Sequence, residues 1–150
     1  PRFGAVESLK QFQADPRFTV AIGGTSGKTI LTINNKKKPF DDVRVRRAVA
    51  AAIDRQAIID GAMEGHGKPI GSHMVASDAG YVDLTGVNPH NLEKAKALLR
   101  EAGVQTPLQV TLTLPPPAYA RKGGEIIAAQ LAKAGIVAKI ENVEWAQWLS

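Results

Sequence analysis

The chain contains no cysteine. That excludes disulfides and cysteine-based zinc sites and leaves the compartment open, because exported bacterial proteins often lack cysteine too. Aromatic residues are only 5% of the sequence, against 44% hydrophobic residues in all. A core must then be packed from faces of Ile, Leu, Val and Ala, which favours an α/β architecture. No apolar run approaches the ~20 residues that a membrane-spanning helix needs. The sequence opens at Pro1 without Met or a signal-like segment, so it reads as a processed or excised piece. Charge of one sign is not concentrated either: the formal net charge is +5, but only Lys36-Lys37-Lys38 form a run. Without interleaved aromatics to stack bases, dispersed charge of this kind implies solubility and no nucleic-acid partner.

What is present begins with "GGTSGKT", Gly23 to Thr29, which ends as a nucleotide-binding P-loop ends. The P-loop requires G-x-x-x-x-G-K-[ST] followed by a helix, so that backbone N–H groups converge on one phosphate. Here the first glycine position holds Ile22, and the following "TILTINN" alternates with a period of two, as a strand does. The match fails on both counts, and the expected structure is an antiparallel hairpin of Phe18–Ile22 and Lys28–Asn34 with the glycine-rich stretch as its tip.

Helical spacing runs through residues 5–14, with Val6, Leu9 and Phe12 or Gln13 on one stripe, and Asp15-Pro16 stops it. Asp41 or Asp42 can cap a helix whose apolar face is Val45, Ala48, Val49, Ala52 and Ile53, leaving Arg44, Arg46 and Arg47 solvated. Asp54 caps a further helix with Ile58, Ile59, Ala62 and Met63 inside, ended by Gly65. Asn91 caps a third, which buries Leu92, Ala95, Leu98, Leu99 and Ala102 and closes at Gly103. Pro107 to Pro115, Glu125 to Gly135 and Ile136 to Val143 then read as strand, helix and strand, a βαβ unit with parallel strands and a right-handed crossover. In "EWAQWLS", Trp145, Trp148 and Leu149 start an apolar helical stripe that one turn cannot sustain, so the natural protein is expected to continue.

Candidate chemistry is sparse. His66, His73 and His90 have no i, i+4 spacing and no thiolate beside them, so no metal site is expected. Asp41, Asp42 and Asp54 stand at helix starts, where capping accounts for them. No nucleophile elbow or Ser-His-Asp order stands out, so nothing speaks for an enzyme. The three prolines in "LPPPAYARKGG" could form a polyproline docking segment, but between strand and helix they more simply end the ladder. The long connection from Gly65 to Pro89 lacks periodicity, and connections of that length often carry function.

Four stretches in one order give more: "NNKKKPFDDVRVRRAVAAAIDRQAII", "GHGKPIGSHM", "NLEKAKALLREAG" and "EIIAAQLAKAGIVAKIENVEW". Together they closely resemble the peptide/nickel class of periplasmic solute-binding proteins that feed ABC transporters, with Asn35, Pro39-Phe40, Asp42, Arg44, Arg46, Ala48 and Ala52-Ile53-Asp54 at the signature positions. The resemblance implies a type II periplasmic-binding-protein-like α/β fold of two lobes closing on a solute. Residues 1–150 would be a single partial domain from the central part of the C-terminal lobe, with the N-terminal lobe and the C-terminal continuation outside it. It implies a peptide or similar small polar solute, a membrane permease as partner, no catalysis, no cofactor, and a periplasmic location, or a surface lipoprotein in a Gram-positive host. The acidic residue that captures a peptide's amino group in such proteins would lie beyond Ser150. Ala79 also stands before Gly80-Tyr81 where many members have an aromatic. Within the chain, His73, Met74 and Tyr81 are the expected ligand-facing residues, since they combine a titratable, a soft apolar and an aromatic group on one long connection. The alternative is a structural module that self-associates through apolar surface left open by an absent lobe.

Overall fold

The computed structural model describes residues 6–150. In chain order the elements are α1 (Leu9–Ala14, after a 3-10 turn at Val6–Ser8), α2 (Val43–Ala52), α3 (Arg55–Met63), α4 (Leu92–Glu101), β1 (Leu108–Leu114), α5 (Ala118–Lys133), β2 (Ile136–Asn142) and the single turn α6 (Trp145–Trp148). The expected helical stripe began at Ala5, which lies outside the described residues; its end before Asp15-Pro16 is where α1 stops.

Caps set the starts of three helices. The Asp42 carboxylate accepts from the backbone N–H of Arg44, that of Asp54 from Ala57, and the Asn91 side chain from Lys94. Each satisfies an amide that the helix itself cannot pair. At its far end α3 turns through two left-handed residues, Glu64 at φ 50° and Gly65 at φ 80°, and both of their amides donate to the Ile59 carbonyl. The α3 side chains expected inside are half-buried, and none is fully covered.

The core lies where α2 packs on α4 and where α5 covers a parallel sheet of β1 and β2. Register runs from Leu108 opposite Ile136 to Leu114 opposite Asn142. Val45, Ala48, Val49, Ala51, Ala52, Ala95, Leu99, Leu131, Ala134 and Ile136 form one buried cluster. On β1 the residues Leu112 and Leu114 are buried while Thr111 and Thr113 are exposed, so the sheet covers one face and wets the other.

The expected hairpin is absent: among the described residues the sheet holds only β1 and β2, and Phe18–Ile22 and Lys28–Asn34 form no ladder. The period of two is real, because Leu31 and Ile33 pack against the core while Ile30 and Thr32 stay exposed. Alternation specifies an extended half-buried chain but says nothing of a hydrogen-bonding partner. Phe18 instead meets Phe12 edge to face, with ring centroids 5.2 Å apart.

Two further expectations are corrected. Arg44 and Arg46 are not simply solvated: Arg44 grips Asp42 through both carboxylate oxygens and donates to the Glu101 carbonyl at 2.8 Å, and Arg46 donates to Phe40 at 2.8 Å. Helix α5 starts at Ala118, seven residues before Glu125, because Gly123 and Gly124 serve packing rather than a turn. A Cβ on Gly124 would lie 2.3 Å from a Leu114 methyl, so the missing side chain is what lets α5 approach β1. At Gly123 the nearest atoms would be Ile58 and Ala62 at 3.7 and 3.9 Å, ordinary contact.

The two glycines therefore predict opposite outcomes. Gly123→Ala raises stability by about 0.5–1 kcal/mol, the usual gain in a helix interior. Gly124→Ala lowers it by about 1–3 kcal/mol through overpacking against buried Leu114. Urea denaturation of both variants checks the signs. A second expectation concerns Asp42, whose carboxyl is lowered from its ordinary value to about 2, first by the side-chain hydrogen bond from Arg44 and then by the Arg44 amide. A carboxylate with a depressed folded value stabilises above its unfolded value and loses that contribution as pH falls through the folded one. Asp42→Asn, which keeps a capping oxygen, should be less stable than the parent at pH 7, and the gap should close between about pH 4 and pH 2.

Candidate functional site

The connection between α3 and α4 has no helix or strand, yet its backbone is tied at many points. At its tip, the Asp78 carboxylate accepts from the Val75 amide at 2.9 Å, while the Asp78 amide donates to the Val75 carbonyl at 2.9 Å. Tyr81 then donates its amide to the Asp78 carbonyl at 3.1 Å. Gly80 supplies the left-handed residue, at φ 81°, that this reversal needs. The Met74 methyl lies 3.9 Å from where a Gly80 Cβ would stand, so Met74 covers the turn leading into Tyr81.

The base of the loop is closed by backbone against backbone. A Cβ on Gly71 would fall 2.2 Å from the Leu84 carbonyl carbon and 2.5 Å from the Thr85 nitrogen. Only glycine admits that contact. Thr85 donates its amide and hydroxyl to Asp83, whose carboxyl is lowered chiefly by the hydroxyl bond. The Thr85 carbonyl accepts from Arg55 at 3.3 Å. Past the loop, the Asn91 amide and His90 Nδ1 both reach the Ala51 carbonyl, at 2.8 and 3.1 Å. The result is a compact excursion whose two ends meet, of the kind that presents side chains from a rigid base.

The sequence-predicted residues are distributed unequally over it. Met74 and Tyr81 are half-buried on either side of the Asp78 turn, and His73 is exposed next to Met74. Exposed Val82, Leu84 and Val87 extend the apolar surface beyond Tyr81. The three histidines lie in different settings: His90 is bound to α2, His73 is on the loop, and His66 lines a shallow concavity of about 430 Å³ with Leu9, Lys10, Asp60 and Glu64. Among the described residues no three His, Cys, Asp or Glu side chains converge as a metal site would require.

Sequence reasoning missed the residues that shape the loop. Asp78 carried a local signal, since Ser-Asp-Ala-Gly is turn chemistry, and Gly71 carried the weaker one of a lone glycine. Lys28, whose ammonium stands 3.7 Å from the Asp78 carboxylate, and Arg55 carried none.

The sequence matches the family model for bacterial extracellular solute-binding proteins, family 5 Middle, over residues 3–150. It is 37% identical over 124 residues to the dipeptide-binding protein of Escherichia coli (strain K12), covering 79% of this chain and 23% of that protein. Among solved structures it is similar to the periplasmic binding protein DppA from Helicobacter pylori in complex with the peptide STSA. That match has a TM-score of 0.82 and 28% identity over 96% of this chain and 28% of the other. NikA from Staphylococcus aureus in complex with Ni(L-His)2 gives a TM-score of 0.79 and 25% identity, covering 96% of this chain and 31% of that one. The chain thus spans about a quarter of the length of the curated relatives it matches.

Closure of the loop base by Gly71 makes Gly71→Ala a local probe. The added methyl meets backbone that cannot rotate away, so amides from Met74 to Tyr81 should exchange at least about tenfold faster, a ~1.4 kcal/mol loosening. Amides of α2 and α4 should keep their parent rates. Hydrogen exchange read by mass spectrometry on the two regions is the check.

Proposed function

The chain belongs to the bacterial extracellular solute-binding proteins of family 5, and from that premise we propose that it forms the central part of the C-terminal lobe of a two-lobed transport binding protein. The complete protein captures a peptide or a similar small polar solute between its lobes and presents it to the permease of an ABC transporter. It does no catalysis, and it works outside the cytoplasm, in the periplasm or as a surface-anchored lipoprotein. The observation that carries this reading is the structural likeness, over nearly the whole chain, to a binding protein held in complex with a peptide. The α/β fold itself, a partial lobe of the type II periplasmic-binding kind, is common to that protein and this one.

The loop described above supplies the ligand-facing part. Tyr81 offers an aromatic ring, Met74 a polarisable apolar arm and His73 an exposed imidazole, on a base rigid enough to hold them in place before a solute arrives. A pre-ordered base matters because side chains that are already positioned lose less freedom on binding. Closure follows from the same logic: a solute favours the closed state only through contacts that the open state lacks. One lobe segment supplies only its own side of them.

Two titrations test the reading by calorimetry with alanyl-alanine and tetra-alanine. The complete protein should bind at least one of the two, and Tyr81→Ala should weaken that binding about tenfold, ~1.4 kcal/mol. The 150-residue chain alone should give no measurable heat. Affinity untouched by the Tyr81 substitution removes this residue from the site, and micromolar binding by the chain alone removes the requirement for a second lobe.

A further inference from the structure

The "GGTSGKT" stretch does not have the spacing of a P-loop. The structure gives its lysine a partner instead. Residues 21–30 are exposed throughout, and Gly23 and Gly24 would have open space around any added Cβ. Within this open stretch the Lys28 side chain is drawn down against the long loop. Its ammonium stands 3.7 Å from Oδ2 of Asp78, and the two side chains are only 28% and 27% exposed. The same Oδ2 accepts the Val75 amide and so closes the turn between Met74 and Tyr81.

We infer that Lys28 is a positioning residue for the ligand-facing loop, holding the Asp78 carboxylate in the orientation that closes the Val75–Asp78 turn. The inference rests on the reading of that loop as ligand-facing. A cation beside a carboxylate that already accepts a backbone amide restricts its rotation, and the turn is then populated in one form. Remove the cation and the carboxylate is free to swing toward solvent, taking the Val75 bond with it. Because the pair is partly exposed and its contact is long, the effect is modest: about a two- to fivefold change, the range for partly screened ion pairs. The lysine of "GKT" is in this way committed within the molecule. Its partner lies far along the chain, which is why no local pattern announces it.

The test has two arms, both run on the complete binding protein. In the first, hydrogen exchange is measured without solute at Val75, Asp78 and Tyr81. The proteins compared are the parent, Lys28→Met, Lys28→Arg, Asp78→Asn, and the double variant that combines Lys28→Met with Asp78→Asn. Lys28→Met should speed exchange about two- to fivefold, Lys28→Arg should restore the parent rate, and the lysine change should add nothing in the Asp78→Asn background. Raising NaCl to about 1 M should bring the parent toward the Lys28→Met rate, since salt screens the pair. Parent-like exchange in Lys28→Met, or equal acceleration by the methionine and arginine substitutions, overturns the positioning role. In the second arm, alanyl-alanine or tetra-alanine is titrated into the same proteins, whichever the parent binds. Weaker binding by Lys28→Met with recovery in Lys28→Arg supports the whole inference. Faster exchange with unchanged affinity leaves the tether standing and overturns the loop as a ligand contact, so the two failures are told apart.

Discussion

Much of this structure depends on one side-chain amide. Gln130 of α5, 9% exposed, accepts from the Asp54 amide at 3.1 Å and donates to the Asp54 carbonyl at 3.1 Å, so it pairs both backbone groups of one residue as a neighbouring strand would. Asp54 is an extended N-cap residue between α2 and α3: its carbonyl also accepts from the Ile58 amide of α3 at 3.3 Å, but neither helix offers its amide a partner. Left without a partner inside the protein, such a backbone N–H costs about 1–3 kcal/mol. The amide therefore decides where the corner between α2 and α3 sits on α5. The neighbouring residues use that placement: Ala51 receives Asn91 and His90, and Arg55 reaches across to Thr85. Both ends of the long loop are thus referred to the corner from Ala51 to Arg55, and the corner is referred to α5.

That hierarchy explains how a connection without helix or strand keeps a defined shape. Its backbone groups are paired by turns and by Ser72, Asp78 and Asp83 side chains rather than by a ladder, and its base is held by a contact that glycine alone permits. Side chains presented from such a base are free to vary in chemistry without disturbing the scaffold. The family accommodates the same division: relatives with this fold are named for dipeptides in one case and complexed with a nickel–histidine species in another.

Legibility divided along the same line. Features specified within a few residues were readable: the caps Asp42, Asp54 and Asn91, the left-handed Gly103 and the parallel βαβ unit. Features specified by distant residues were not. Alternation at Leu31 and Ile33 suggested a strand, but pairing depends on what else lies alongside, and no ladder forms there. The helix expected from Glu125 begins at Ala118, and only the presence of Leu114 shows that Gly124, inside it, makes room. His90 and Arg46 had local patterns compatible with solvent, and each is bound to a carbonyl that the fold brings to it. The long connection between α3 and α4 was readable from its lack of periodicity, while the pairing of Lys28 with Asp78 was not, being a property of the folded chain alone.

The notch at Gly124 has a mechanical meaning as well. With Leu114 seated where a side chain would be, and an Ile126 methyl seated likewise 2.6 Å from the would-be Cβ of Gly61, sheet, α5 and α3 are keyed together like cogs. Sliding any one past its neighbour would first require lifting it out of mesh, which favours movement of the three as a single block. The run from 21 to 30 before α2 has no such keying: it is exposed throughout, and a Cβ on Gly23 or Gly24 would meet nothing within 4 Å.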